Sequence, residues 1–420
     1  VKAEDGSVRL RVLVLTGIFP NRRNETWGIH VFQNVRALSA HADVRVVAPV
    51  PYVPMPRVFG RGRYRAYLGV ARRDELEGLP VEYPRFFVVP KVGRFLHGFG
   101  LFLSIAPGMA RTIRAFRPDV LLAYFAYPYG FAAVLFATVF RLPVVVSCRG
   151  GDVNHMTAPR LQGRLIVRAL RACRRVLAMS DEMRKRIVAL GIDASRVAVV
   201  GNGVDPARFA PADRERARAE LGIPRDARAA VCVSRLSREK GIDVLLDAMA
   251  RIDDPTLRLY VVGDGAERRA LAARAARADL AGRVTFALAR PHAEVPRWLA
   301  AADVVVLPSR SEGMPNAVLE ALASGRPVVA TAVGGTRELV TTRALGRLVP
   351  PDDAPALADA IREALATRWD AGVISASTRS RTWDGVGRRT ARLLTSAGET
   401  GPAPAAHAQP GRGTWNAGTR

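Results

Sequence analysis

The sequence predicts an α/β protein made of two doubly wound halves that face each other across a cleft. Three observations carry this. Short continuous apolar runs alternate with helical patterns along most of the chain, as in parallel sheets covered on both faces. The alternation pauses once, near residues 205–212, where VDPARFAPAD supplies two prolines and no periodicity. The 420 residues, 49% hydrophobic and 24% charged, are enough for two such cores.

In the first half, RLRVLVLT (Arg9–Thr16) reads as a buried strand, and Val31, Val35 and Leu38 have helical spacing up to His41. The next strand is DVRVVAP (Asp43–Pro49). DVLLAYF (Asp119–Phe125) precedes an apolar helix over Gly130–Phe140, and LPVVVSC (Leu142–Cys148) follows as a strand. RVLAMS (Arg175–Ser180) leads into a helix ending near Gly191, and RVAVVGNGVD closes the half.

The second half repeats the rhythm. AAVCVSR (Ala229–Arg235) is a strand, and Ile242, Leu245, Leu246 and Met249 then mark one face of a helix. LRLYVVGDG, RVTFALA, ADVVVLPS and RPVVAT are further strands. The helix PALADAIREALATR precedes a last helical stretch, TWDGVGRRTARLLTS. Beyond Ser396 the chain is rich in Gly, Pro and Ala without periodicity and reads as a disordered tail, 397–420.

The formal net charge is +25, yet only four of the 63 basic residues are lysine, a skew that fits arginine-biased codon usage better than a surface built for phosphate. The excess sits mostly in the first half. There RVFGRGRYRAYLGVARR (Arg57–Arg73) interleaves cations with apolar side chains, as a segment resting on an anionic membrane face would. A basic polyanion-binding protein is the alternative from another class. It would need aromatic platforms on a basic groove or a helix-turn-helix, and with aromatics at 7% neither is visible, so no nucleic-acid partner is expected. The best membrane-span candidate, Tyr129–Ser147, is broken by Arg141 and Pro143. The polar N-terminus has no signal-peptide core. Cys148, Cys173 and Cys232 lack disulfide or zinc spacing and read as reduced core thiols, which points to a cytoplasmic protein, peripheral on the inner membrane face.

Chemistry concentrates in two places. In ADVVVLPSRSEGMPNAVLEALASGRPVVAT, Glu312 and Gly313 follow a strand end, Pro315 suits a first helical turn, and Gly325 suits the helix end. Glu312 and Glu320 form an E-x7-E pair, one in the loop and one inside the helix. The free N–H groups along Gly313, Met314 and Asn316, interrupted by Pro315, which has none, favour an anionic or polyhydroxyl ligand, and a carboxylate can accept two hydrogen bonds from a diol. In CVSRLSREKGIDVLLDAM, Arg235 and Lys240 stand between a strand and a helix, where they can hold a diphosphate and stabilise it as a leaving group. No P-loop occurs. Gly263 and Gly265 form a turn after a strand, and the absence of a full G-x-G-x-x-G argues against a nicotinamide dehydrogenase.

With SRLSREKG, E-x7-E, AMSDEMRKRIVALGID, VVGNGVDPARF, LYVVGDG and Glu338 after VVATAVGG, the chain resembles the family 4 glycosyltransferases of GT-B fold from about Arg9 to Ser396. YPYGFAAVLFATVFRLPVVVSCRGGDVN is similar to the teichuronic acid and cell-surface polysaccharide branch. The resemblance implies two Rossmann-like domains, an acceptor domain over 1–205 and a nucleotide-sugar domain over 206–378. A C-terminal helix, 379–396, would pack back on the first. It implies sugar transfer from a nucleotide donor with retention, to a lipid-linked or polysaccharide acceptor, with no metal or other cofactor. Arg235 and Lys240 would bind the diphosphate, Glu312 the sugar hydroxyls, Glu320 the ribose, and the amides around Gly313–Asn316 sugar and phosphate. No D-x-D occurs, so no metal site is visible. A nucleotide-sugar epimerase on the same architecture is the alternative enzyme.

One departure stands out. Many family members have a histidine in an HG-x-D segment where this chain has Arg149, in Cys148-Arg149-Gly150-Gly151-Asp152. Arginine cannot shuttle a proton at neutral pH but can bind phosphate or an acidic sugar. Asp152 is retained as a catalytic candidate, His155 reads as structural, and Gly28 falls at the family's acceptor-side glycine loop. Asn202 and Gly203 read as a backbone turn at the domain junction.

Overall fold

Strand Arg11–Leu15 is the centre of an eight-stranded sheet, flanked by Asp43–Val47 on one side and Val120–Tyr124 on the other. Beyond Val120–Tyr124 come Val144–Ser147, Arg175–Ala178 and Val197–Val199, all parallel. The structure is a computed structural model that describes residues 9–25, 27–52, 67, 69–87, 94–154 and 160–399. Leu13, Leu121, Leu122 and Val145 are wholly buried, as strands covered on both faces must be.

The other edge departs from the all-parallel expectation. Leu79–Glu82 is parallel to Asp43–Val47 but antiparallel to Arg73–Leu76. Glu77 and Gly78, with φ of 47° and 81°, make the tight turn between them. The outer strand reads RDEL; its charges hide it from an apolar-run search and protect a sheet edge from mispairing.

The second sheet has six parallel strands in the order Val284–Leu288, Leu257–Val262, Arg228–Val233, Val304–Leu307, Val328–Thr331, Gly346–Val349. Counted along the chain this is 3-2-1-4-5-6, the doubly wound order whose direction reverses between the first and fourth strands. The loops leaving Arg228–Val233 and Val304–Leu307 therefore open side by side, and these are the loops of Lys240 and Glu312.

The halves are joined by more than the linker. Val204 pairs with Thr382 in a parallel bridge, and helix Trp383–Glu399 crosses back to helix Ile29–Ser39. A β-carbon on Gly387 would fall 2.2 Å from the Ala37 carbonyl oxygen, so only glycine lets these helices touch. His41 Nε2 and Asp384 Oδ1 meet at 3.0 Å beside that contact. The helix continues to Glu399, past the Ser396 boundary read from sequence, because Ala397 packs into the core at 1% exposure. Residues 400–420 of the expected tail lie outside the described residues, as do His155 and most of Arg57–Arg73. Cys148, Cys173 and Cys232 are buried free thiols. No described helix is long and apolar enough to cross a membrane.

Candidate active site

The turn before helix Ile242–Ala250 is pressed onto the end of strand Val304–Leu307. Gly241 has φ 63°, and a β-carbon there would lie 2.1 Å from the Pro308 carbonyl oxygen. That approach brings Lys240 Nζ to 2.6 Å from Glu312 Oε1, with Ser309 Oγ donating to the same oxygen at 2.6 Å. The carboxylate is mostly buried (8% exposed) and the ammonium less so, at 22%. A largely desolvated carboxylate thus holds a partly exposed cation at its side. Arg235 shares the Lys240 loop but remains solvent-exposed, 3.3 Å from Glu239. A cavity of about 500 Å³ opens beside Glu312, lined also by Gly334, Arg310 and Arg186.

Glu320 sits inside helix Asn316–Ala323 and is nearly buried. Its Oε1 is 2.9 Å from His292 Nε2. His292 was not legible in the sequence: it stands in a polar connection, and its partner lies on another element. Across the cleft, the His30 ring lies 6.2 Å from the His292 ring. Burial pushes the His30 pKa down to about 4, against the pull of Glu320. His30 follows Gly28, whose φ of 72° turns the chain into helix Ile29–Ser39.

The loop after strand Val144–Ser147 meets the Glu312 loop directly. A β-carbon on Gly313 would come within 2.9 Å of the Arg149 carbonyl oxygen, so the two domains touch through glycine backbone. Arg149 lies over the Tyr124 ring at 5.4 Å and donates to Asn202 Oδ1 at 3.3 Å. Asn202 in turn donates to Asn316 Oδ1 at 2.6 Å and to the Met314 carbonyl at 3.4 Å. Asn202, read from sequence as a backbone turn, also serves as a side-chain bridge from Arg149 to the start of helix Asn316–Ala323.

Asp152 has a different place from the one its motif suggests. It is 1% exposed, and its oxygens accept the N–H groups of Ala126 at 2.8 Å and of Arg149 and Gly150 at 3.0 Å. Burial raises its pKa while these bonds oppose the shift. The carboxylate ties the Arg149 loop to Ala126 through backbone N–H groups. Pro315 is the residue before the helix, and Gly325 (φ 69°) follows its end. Among the described residues no group of three or more His, Cys, Asp or Glu is arranged to hold a metal ion.

Residues 28–208 match the model described as Glycosyltransferase Family 4, and residues 227–367 match Glycosyl transferases group 1. A Bacillus subtilis protein described as a teichuronic acid biosynthesis glycosyltransferase, TuaC, is 32% identical over 84% of this chain and 88% of its own. The chain belongs to glycosyltransferase family 4. A D-inositol 3-phosphate glycosyltransferase of Geodermatophilus obscurus is 38% identical over 57% of this chain, a match spanning 56% of that protein. Anabaena HepE in complex with UDP superposes with a TM-score of 0.71 at 22% identity, over 92% of this chain and all (100%) of that one. Sucrose-phosphate synthase from Thermosynechococcus elongatus gives 0.70 at 23% identity, over 93% and 97%. The fold of this glycosyltransferase is GT-B, and Lys240, Glu312 and Glu320 lie on the strand-end side of its C-terminal domain.

Proposed function

We propose that this glycosyltransferase moves a sugar from a nucleoside-diphosphate sugar to a lipid-linked or polysaccharide acceptor of the cell envelope or an exopolysaccharide, with retention at the anomeric carbon and without a metal. The observation that carries the reading is the meeting of Lys240 and Glu312 at the reversal point of the second sheet, against the Arg149–Gly150 backbone of the first domain.

In this reading the diphosphate lies against Lys240 and Arg235, which offset the charge that grows on it as the bond to the sugar breaks. Glu312 accepts from sugar hydroxyls, and the amides of Gly313, Met314 and Asn316 donate to sugar and phosphate oxygens. Glu320 accepts from the ribose. The acceptor oxygen attacks the anomeric carbon on the face the phosphate leaves, and the departing phosphate takes the acceptor proton. No protein nucleophile is needed. The Anabaena structural relative has also been crystallised with UDP-glucose, which supports a nucleotide-sugar donor. Arg149, as a fixed cation on the acceptor side, suits an acceptor that bears phosphate or carboxylate.

A peripheral membrane position is part of the proposal. The outward strip of helix His97–Phe116 carries Phe99, Leu103 and Pro107, then Arg111 and Arg114, and the helix has no acidic residue. Such a strip suits an anionic bilayer surface.

The test is a screen of nucleotide sugars with and without a lipid-linked glycan acceptor, followed by NMR of the product's anomeric proton. Acceptor-dependent transfer with the donor's anomeric configuration is expected, unchanged by EDTA. An inverted product, donor epimerisation without acceptor, or loss of activity in EDTA would each contradict the corresponding part.

A further inference from the structure

We infer that Arg208 and His292 form a relay that orients Glu320 toward the donor ribose, so that the interdomain linker and the nucleotide grip are mechanically one unit. The inference deepens the proposed function and rests on its assignment of Glu320 to the ribose.

His292 is engaged through both ring nitrogens. Nε2 lies 2.9 Å from Glu320 Oε1, and Nδ1 lies 3.2 Å from Arg208 Nη1. A guanidinium only donates and a carboxylate only accepts. Nδ1 is therefore the acceptor, and Nε2 carries the hydrogen given to Glu320. The bonds run in one direction, arginine to histidine to glutamate, and a polarised chain of this kind strengthens its own links. Glu320 Oε1 is pinned, so that in the proposed reading Oε2 is the oxygen that accepts from a ribose hydroxyl.

The ring is supported by three residues on two elements. Arg208 belongs to VDPARFAPAD, the junction between the halves. Phe209, next in that junction, is 3% exposed and packs on the His292 ring at 5.4 Å between centroids. His30 of the first domain reaches the same ring from across the cleft. The His292 and Glu320 side chains are 16% and 9% exposed, so little water competes for their bond. A shift of the linker would move Arg208 and Phe209, turn the imidazole, and change the direction of the Glu320 carboxylate. His292 acts through Glu320 and is a positioning residue.

Calorimetric titration can read this directly. The probes are UDP, GDP and ADP with their 2′,3′-dideoxy counterparts, applied to the full chain and to Glu320→Ala, His292→Phe, His292→Gln and Arg208→Leu. For whichever diphosphate binds, the parent is expected to prefer the ribose form by about tenfold or more, the worth of a hydrogen bond to a charged group. Glu320→Ala and His292→Phe should lose most of that preference. His292→Gln, which keeps an N–H near the Nε2 position, should recover part of it, and Arg208→Leu should weaken it. A His292→Phe protein that keeps the full preference while Glu320→Ala loses it would overturn the relay and leave the ribose assignment standing. A Glu320→Ala protein that keeps the preference, or a parent that binds none of the three, would overturn both. Arg208 is exposed, so Arg208→Leu decides the question if His292→Phe does not fold; an undiminished preference there overturns the relay.

Discussion

Lys240 and Glu312 form a direct ion pair, Nζ to Oε1 at 2.6 Å, although 72 residues separate them in sequence. The sheet order explains the meeting, because their loops leave the two neighbouring strands at which the winding reverses direction. Two groups that the sequence assigns to different parts of a donor, diphosphate and sugar, are therefore partners. A donor spanning the pair would take hydrogen bonds from the cation and give them to the carboxylate.

Glu312→Gln is expected to lower turnover by about a hundredfold or more while the melting temperature changes little, since the amide keeps the shape but not the charge. Steady-state kinetics with thermal melting checks this. Turnover within a few-fold of the parent would remove Glu312 from the reacting centre.

Asp152→Ala is expected to destabilise the first domain by roughly 3 kcal/mol or more, because it strands buried backbone N–H groups that the carboxylate now satisfies. Chemical denaturation would measure it. A loss of activity with unchanged stability would instead return Asp152 to the catalytic group.

The depressed pKa of His30 gives a pH dependence with a definite sign. Burial lowers it from 6.5 to about 4, helped by His292 and Arg149 and opposed by Glu320 and Gln33. Between those values the unfolded chain takes up a proton that the folded protein refuses, so stability falls as pH falls through that window and is full above it. His30→Phe should melt with a smaller drop between pH 7 and pH 5 than the parent. An identical drop would show that His30 is not the group responsible.

Phe99→Ser with Leu103→Ser should weaken co-sedimentation with vesicles containing phosphatidylglycerol and leave donor cleavage in solution unchanged. Arg111→Glu with Arg114→Glu should do the same, more strongly at low salt. Binding indifferent to both pairs would remove this helix from any membrane contact.

Much of the fold was legible because parallel strands buried on both faces leave unbroken apolar runs, as in Val12–Leu15 and Val304–Leu307. The RDEL edge strand escaped because one flank faces solvent, and helix His97–Phe116 because Pro107 and several glycines interrupt its pattern. In the site, the positions of Lys240 and Glu312 in loops beyond strand ends and of Glu320 inside the next helix were readable. His292, His30 and the Asn202 bridge were not. Each acquires its role from a partner on another element, His292 from Glu320 28 positions away and Asn202 from Asn316 114 positions away, and local patterns carry no such pairing. Asp152 was found by its motif, but only the fold reveals that its carboxylate faces backbone.

The most direct test of the account is calorimetric titration of the parent and of Lys240→Ala with UDP-, GDP- and ADP-sugars. One donor class should bind the parent with a single site and lose about tenfold or more of its affinity in Lys240→Ala, with the fold retained by circular dichroism. Equal affinity in the two proteins, or no binding of any nucleotide sugar to the parent, would contradict a donor site built on Lys240 and Glu312.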